Sequence, residues 1–177
     1  MSAALRRATL DDLPALTSLI AESVRGLSKG YYTAEEIEAS LVHVFGVDTQ
    51  LIADGTYYVI ESDGTLAACG GWSGRRTLFG GDQMKPAEDA RLDPVTEPAR
   101  IRAFFVHPRY ARRGLARRLY EHSAEQARAA GFQSLELAAT LPGVPLYAAL
   151  GFSGDERITV AMPGGLTLIC VRMGRRL

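Results

Sequence analysis

The sequence predicts a mixed α/β domain: a central sheet of about six to seven strands flanked by about four helices, with an antiparallel meander leading into one parallel crossover. Three observations lead there. Apolar runs of strand length, bounded by glycine, proline and aspartate, recur along the chain. Between them lie stretches whose apolar residues return at every third or fourth position, the mark of a helix with one buried face. Residues 101–138 then read as strand, tight turn, helix and strand in immediate succession, the pattern of a crossover between parallel neighbours.

The 177 residues suit a single domain, 1–177, with a substantial core. A formal net charge of zero gives no reason to expect nucleic acid or an anionic membrane as partner. No apolar run is long enough to span a bilayer. The opening MSAALRRATLDDL has no apolar segment of the kind a secretion signal needs, so a cytoplasmic location is the expectation. Cys69 and Cys170 lie far apart in apolar runs and read as small buried hydrophobes; neither a disulfide nor a metal site is expected.

Residues 3–7 form a candidate first strand. Thr9 and Asp12 have the spacing of a capping box, and Pro14 falls where a first helical turn tolerates proline. Leu13, Leu16, Ile20 and Val24 give that helix its buried face, and Gly26 is its expected end. Thr33 and Glu36 form a second capping box ahead of Ile37, Leu41 and Val44. Tyr31 and Tyr32, just before it, either face a cleft or pack the helix start. Residues 57–61 read as a strand, Ser62-Asp63-Gly64 as a hairpin turn and residues 66–72 as the returning strand. Gly70 and Gly71 within it point to a bulge or to close approach of a backbone or ligand. Residues 73–100 show no period. A segment this long reads either as a lid over the unit that follows or as a solvated loop, with Lys85, Glu88 and Asp89 in water.

Residues 101–106 are the central strand, stopped by His107-Pro108 because proline has no N–H to offer a sheet. The turn that follows is basic, with Arg109, Arg112, Arg113 and Arg117. It opens a helix that Gly131 closes in the position of a left-handed cap. The first turn of a helix leaves N–H groups without partners and carries the positive end of the dipole, so this is a candidate pyrophosphate site. Beyond it, residues 134–138 are a strand and residues 142–150 a short helix that ends at Gly151-Phe152. Residues 158–162 and 166–173 form a hairpin about Pro163-Gly164-Gly165.

Ala111-Arg112-Arg113-Gly114-Leu115-Ala116 resembles the Q/R-x-x-G-x-G/A turn of the GCN5-related N-acetyltransferase (GNAT) superfamily, with Ala111 in place of the usual glutamine or arginine. Tyr147-x-x-x-Gly151-Phe152 is similar to the superfamily's later Y-x-x-x-G-F segment; Thr140 replaces a common asparagine seven residues before the tyrosine. The resemblance covers the second half of the chain well and implies a GNAT-like fold with acetyl-CoA as co-substrate. It implies that Ala111, Arg112, Arg113, Gly114, Leu115, Ala116 and Arg117 hold the pyrophosphate. It further implies that the main chain of Phe104, Phe105 and Val106 runs beside the pantetheine arm, that Thr140 lies near it, and that Tyr147 is the general acid for the leaving thiolate. A base for the amine is not fixed by the motif: Glu136 and His107 are the candidates, and a water chain is equally open. The expected activity is acetyl transfer to a primary amine of a small molecule or peptide, by direct attack in a ternary complex. The alternative is a CoA-binding sensor that keeps the turn and lacks transfer. A homodimer through exposed C-terminal strands is compatible with the resemblance.

Overall fold

The computed structural model describes residues 2–177. Seven strands form one sheet in the order β1-β2-β3-β4-β5-β7-β6. The strands are β1 (Ala3–Arg7), β2 (Tyr57–Ser62), β3 (Thr65–Ser73), β4 (Ala99–Val106), β5 (Ser134–Thr140), β6 (Ser153–Ala161) and β7 (Thr167–Arg176). Five helices accompany them: α1 (Leu13–Leu27), α2 (Ala34–His43), α3 (Thr49–Ala53), α4 (Leu115–Ala129) and α5 (Val144–Ala149). β1 to β4 pair as an antiparallel meander. The β4–β5 pair is parallel, as the intervening α4 requires, and β7 inserts between β5 and β6.

Local chemistry sets most boundaries. Thr9 and Asp12 close a capping box over a short 3-10 turn, from which α1 continues with Pro14 in its first turn. Thr33 and Glu36 cap α2 reciprocally. Asp63 and Gly64 both have positive φ, 52° and 74°, which is the two-residue turn that matches strand twist. After α4, Gly131 takes φ of 95°, its N–H bonds to Arg128 O and Phe132 N–H bonds to Ala127 O, a left-handed cap that satisfies the last carbonyls.

Two cores lie on opposite faces of the sheet. Alternation along β2 shows it: Tyr58 and Ile60 pack with Leu119, Ala124 and Ala127 of α4, whereas Tyr57 and Val59 pack with Leu16, Ile20 and Val24 of α1. Cys69 and Cys170 are free and buried, and burial pushes their thiols up to about 12 and about 11. Among the described residues, no helix is long and apolar enough to cross a membrane.

Two expectations are corrected and one element is new. Gly26 does not end α1. It lies in the last turn, where a side chain would collide with Pro108, and the helix runs one residue further. α3 is an unforeseen short helix, capped by Asp48, whose carboxylate accepts from the N–H groups of Gln50 and Leu51. Within residues 73–100, Glu88 is exposed as the solvated reading has it, but Lys85 and Asp89 are tied into the fold. Lys85 Nζ lies 3.0 Å from Asp48 and 3.4 Å from Asp89, and Asp89 accepts from Thr77 N–H at 2.8 Å. Arg75 pairs with Asp54 at 2.7 Å.

The knot of this network is Arg102 of β4. Its side chain is 1% exposed and donates to Asp48 at 2.8 Å, to Gly80 O at 2.6 Å and to Thr77 O at 3.0 Å. A buried charge without a partner is far more costly than a paired one. Asp48→Asn is therefore expected to lower unfolding stability by ~3–5 kcal/mol in urea denaturation. Replacing both partners together, Arg102→Met with Asp48→Leu, should recover only part of that loss, because the α3 N–H groups and the carbonyls of Thr77 and Gly80 lose their partners as well.

Candidate active site

Beyond Arg100, β4 and β5 part. Their paired registers among the described residues are Ala99 with Leu135 and Arg100 with Glu136. The cause lies in β4. Ala103 has φ of 55°, a left-handed value that a residue with a Cβ adopts only when its surroundings enforce it. Ala103 and Phe104 together face the single Gly70 of β3, which is a β-bulge. The extra residue shifts the alternation by one. Ala99 and Ile101 pack on the α4 face; after the bulge Phe104 and Val106 do, while Ala103 and Phe105 turn to the α1 face. The two glycines of β3 make this possible. A Cβ on Gly70 would collide with the Phe104 ring, and one on Gly71 with the carbonyl of Thr56.

The gap is a cavity of about 210 Å³ that opens through the sheet. Phe104, Val106, Leu146 and Tyr147 line it on the α4 side, and Val24, Phe45 and Phe79 on the α1 side. Ala116, in the first turn of α4, and Thr140, at the end of β5, complete the wall near the helix start.

That helix start is built by a compact turn. His107 Nδ1 accepts from Arg109 N–H at 3.1 Å, and Ala111 N–H bonds to Pro108 O. Arg112 and Gly114 then take φ of 64° and 78°. Open space surrounds Gly114, so its conformation and not its size is what the turn needs. The first bond into the helix is Arg118 N–H to Gly114 O, and the N–H groups of residues 112–117 have no acceptor among the described residues. The side chains of Arg109, Arg112, Arg113 and Arg117 are exposed, with Arg113 stacked 5.4 Å from the Tyr110 ring. Ala111, Leu115 and these arginines surround the helix start and do not line the cavity itself.

Tyr147 is buried against Phe152, with ring centroids 5.7 Å apart, and tilts toward Phe104 at 6.3 Å. Its hydroxyl has no hydrogen-bond partner among the described residues. Burial alone pushes its pKa above the ordinary tyrosine range, so the phenol stays protonated at neutral pH. Along β4, Val106 N–H is held by Ser23 Oγ at 3.1 Å. Phe105 pairs with Cys69 in the register with β3, and Phe104 has no partner there.

Neither candidate base lies in the cleft. Glu136 is held at 2.7 Å by both Arg100 and Arg172 and borders an open groove at the far end of the sheet. His107 turns its Nε2 to Glu22 and its Nδ1 to the turn, where it ties α1 to the end of β4. Tyr32 is a clamp: its hydroxyl donates to Ile169 O at 2.6 Å and accepts from Leu141 N–H at 2.9 Å. Tyr31 is exposed. The residues not anticipated are Ser23, Asp48, Phe79 and Arg102. A signal existed for Arg102 alone, as one charge inside an apolar strand.

The family model described as acetyltransferase (GNAT) family matches residues 21–152. No curated protein matches the chain in sequence. Among solved structures, a GCN5-related N-acetyltransferase from Rhodopseudomonas palustris is 19% identical with a TM-score of 0.73, over 100% of this chain and 97% of that one. The PaiA N-acetyltransferase of Thermoplasma acidophilum, in complex with coenzyme A, is 14% identical with a TM-score of 0.67, over all of both chains. YncA of Salmonella typhimurium, a putative acetyltransferase with its cofactor acetyl-CoA, is 17% identical with a TM-score of 0.64, over 100% of this chain and 95% of that one. At these identities the likeness is one of fold.

Tyr32 and Tyr147, both buried, should respond differently to loss of their hydroxyls. Tyr32→Phe strands a buried N–H and a carbonyl and is expected to cost ~1–3 kcal/mol. Tyr147→Phe removes no hydrogen bond and should stay within about 0.5 kcal/mol of the parent. Urea unfolding curves of the two variants check this.

Proposed function

The chain belongs to the GNAT acetyltransferase family, and from that premise we propose that it is an acetyl-CoA-dependent N-acetyltransferase that acetylates a primary amine by direct attack within a ternary complex. The observation that carries this reading is the unpartnered, protonated phenol of Tyr147 in the cleft between β4 and β5, on the same face as the unfilled N–H groups at the start of α4.

The residues present fit the co-substrate. The N–H groups of residues 112–117 and the positive end of α4 suit a pyrophosphate, and the four exposed arginines add charge around it. The β5-facing edge of β4 beyond Arg100 lacks a strand partner and suits the amides of the pantetheine arm. Acetyl-CoA would supply an acyl thioester with a thiol leaving group. The main chain at Phe104 is the place from which an N–H would stabilise negative charge on the acyl oxygen. Tyr147 would hold a proton for the departing sulfur, since its raised pKa keeps that proton available across the working range.

The cavity wall carries no carboxylate and no imidazole among the described residues, so the amine is expected to arrive neutral or to lose its proton to water. The same observation favours a second reading, a CoA-binding sensor without transfer activity. Against it stands Tyr147, whose hydroxyl serves nothing in the fold. Calorimetric binding of acetyl-CoA, with no thiol release across a broad panel of amines, would establish the sensor.

Tyr147→Phe should lower kcat by about 10²-fold while leaving acetyl-CoA affinity unchanged by calorimetry. Without an enzymic base, log kcat/KM should rise with unit slope from pH 6 toward the pKa of the amine, near ~10. Because burial raises the Tyr147 pKa, loss of the acid belongs above ~10 and not below it. A rising limb that levels near pH 7 would show that a base acts after all.

A further inference from the structure

The α1-side wall of the cleft indicates which amine it takes. Val24, Leu27, Phe45, Leu78 and Phe79 line it, with two serines between them. Ser23 Oγ is engaged with Val106 N–H, and Ser28 sits at the end of α1. Phe45 stands edge-on to Phe105 with ring centroids 5.9 Å apart, so the floor beneath the bulge is aromatic.

What surrounds this wall matters as much as the wall. None of the lining residues carries a carboxylate, and three carboxylates on the segments behind the wall are held in ion pairs. Asp48 is held by Arg102 and Lys85, Asp89 by Lys85 and Thr77 N–H, and Asp54 by Arg75. The wall's own charge, Arg102, is 1% exposed and already donates to Asp48, Gly80 O and Thr77 O. A second cationic group on the acceptor would therefore be taken out of water with no counter-charge. Among the lining residues, an acceptor carboxylate would meet only this already engaged guanidinium. The surface rewards apolar area and leaves charge unpaired.

We infer that the acceptor is a small primary amine on an uncharged, apolar body, of the arylalkyl or branched-alkyl kind, and that Phe45 and Phe79 select it. This rests on the transferase reading above and adds the substrate class.

The test is a panel of phenethylamine, isoamylamine, spermidine and lysine, assayed by thiol release at saturating acetyl-CoA. The apolar amines should exceed spermidine and lysine in kcat/KM by at least about tenfold. In parallel, phenethylamine should raise the melting temperature of the CoA-saturated protein while spermidine at equal concentration does not. Phe79→Asp, which places a carboxylate in the wall, should move the preference toward spermidine by about tenfold without changing acetyl-CoA affinity. Phe45→Asp gives the same reading should the first variant fold poorly. Preference for spermidine or lysine by the parent protein overturns the inference and leaves the transferase reading standing. Acetyl-CoA binding with no transfer to any amine, and no thermal shift from phenethylamine, overturns both. No transfer with a selective shift from phenethylamine overturns the transferase reading alone and keeps the apolar site.

Discussion

Arg102 and Asp48 meet in the interior with almost no water around either, and the outer wall of the cleft is fastened to them. Arg102 reaches from β4 to the carbonyls of Thr77 and Gly80; Asp48 caps α3 with one oxygen and faces Arg102 and Lys85 with the other. Burial pulls the Arg102 pKa down, since a dry interior disfavours the charged form. Only dense hydrogen bonding makes the charge tolerable there. Four separate segments, β4, the residues after α2, the 77–81 stretch and Lys85, are thus committed to one geometry. Removing any partner leaves the others with an unpaired group.

This fastening sits next to the bulge, and the two features complement each other. A bulge at Ala103 bends β4 and reverses its alternation, which opens the sheet between β4 and β5 and sends Phe105 to one face and Phe104 to the other. An open sheet edge inside a protein is costly unless its polar groups find partners. Ser23 supplies one for Val106, and the edge around Phe104 has no strand partner among the described residues. The cleft is a consequence of one inserted residue, stabilised by one buried ion pair beside it.

Much of this was legible in the sequence. The strands, the capping boxes at Thr9 and Thr33, the cap at Gly131 and the strand–turn–helix of the central unit all follow from local rules, which act within a few residues. Gly70 and Gly71 also announced a close approach, because glycine in a strand needs a reason. The placements that failed depend on tertiary contacts. His107 and Glu136 have the right chemistry for a base, but their direction is set by Glu22, Arg100 and Arg172, distant in sequence. Lys85 and Asp89 look like solvated loop residues until Asp48 is brought beside them.

The proposed site would work mainly by position. It offers main-chain N–H groups at α4, an unpaired strand edge, one protonated phenol and an apolar wall, all held by elements whose geometry is over-determined. The central claim is that acetyl-CoA lies along the β4 edge with its pyrophosphate at the α4 turn. Amide hydrogen exchange with and without acetyl-CoA tests it most directly. Protection should appear at Phe104 and at residues 113–117, with little change in the groove around Glu136. Unchanged exchange at both places under saturating acetyl-CoA, or protection confined to the Glu136 groove, would contradict the account.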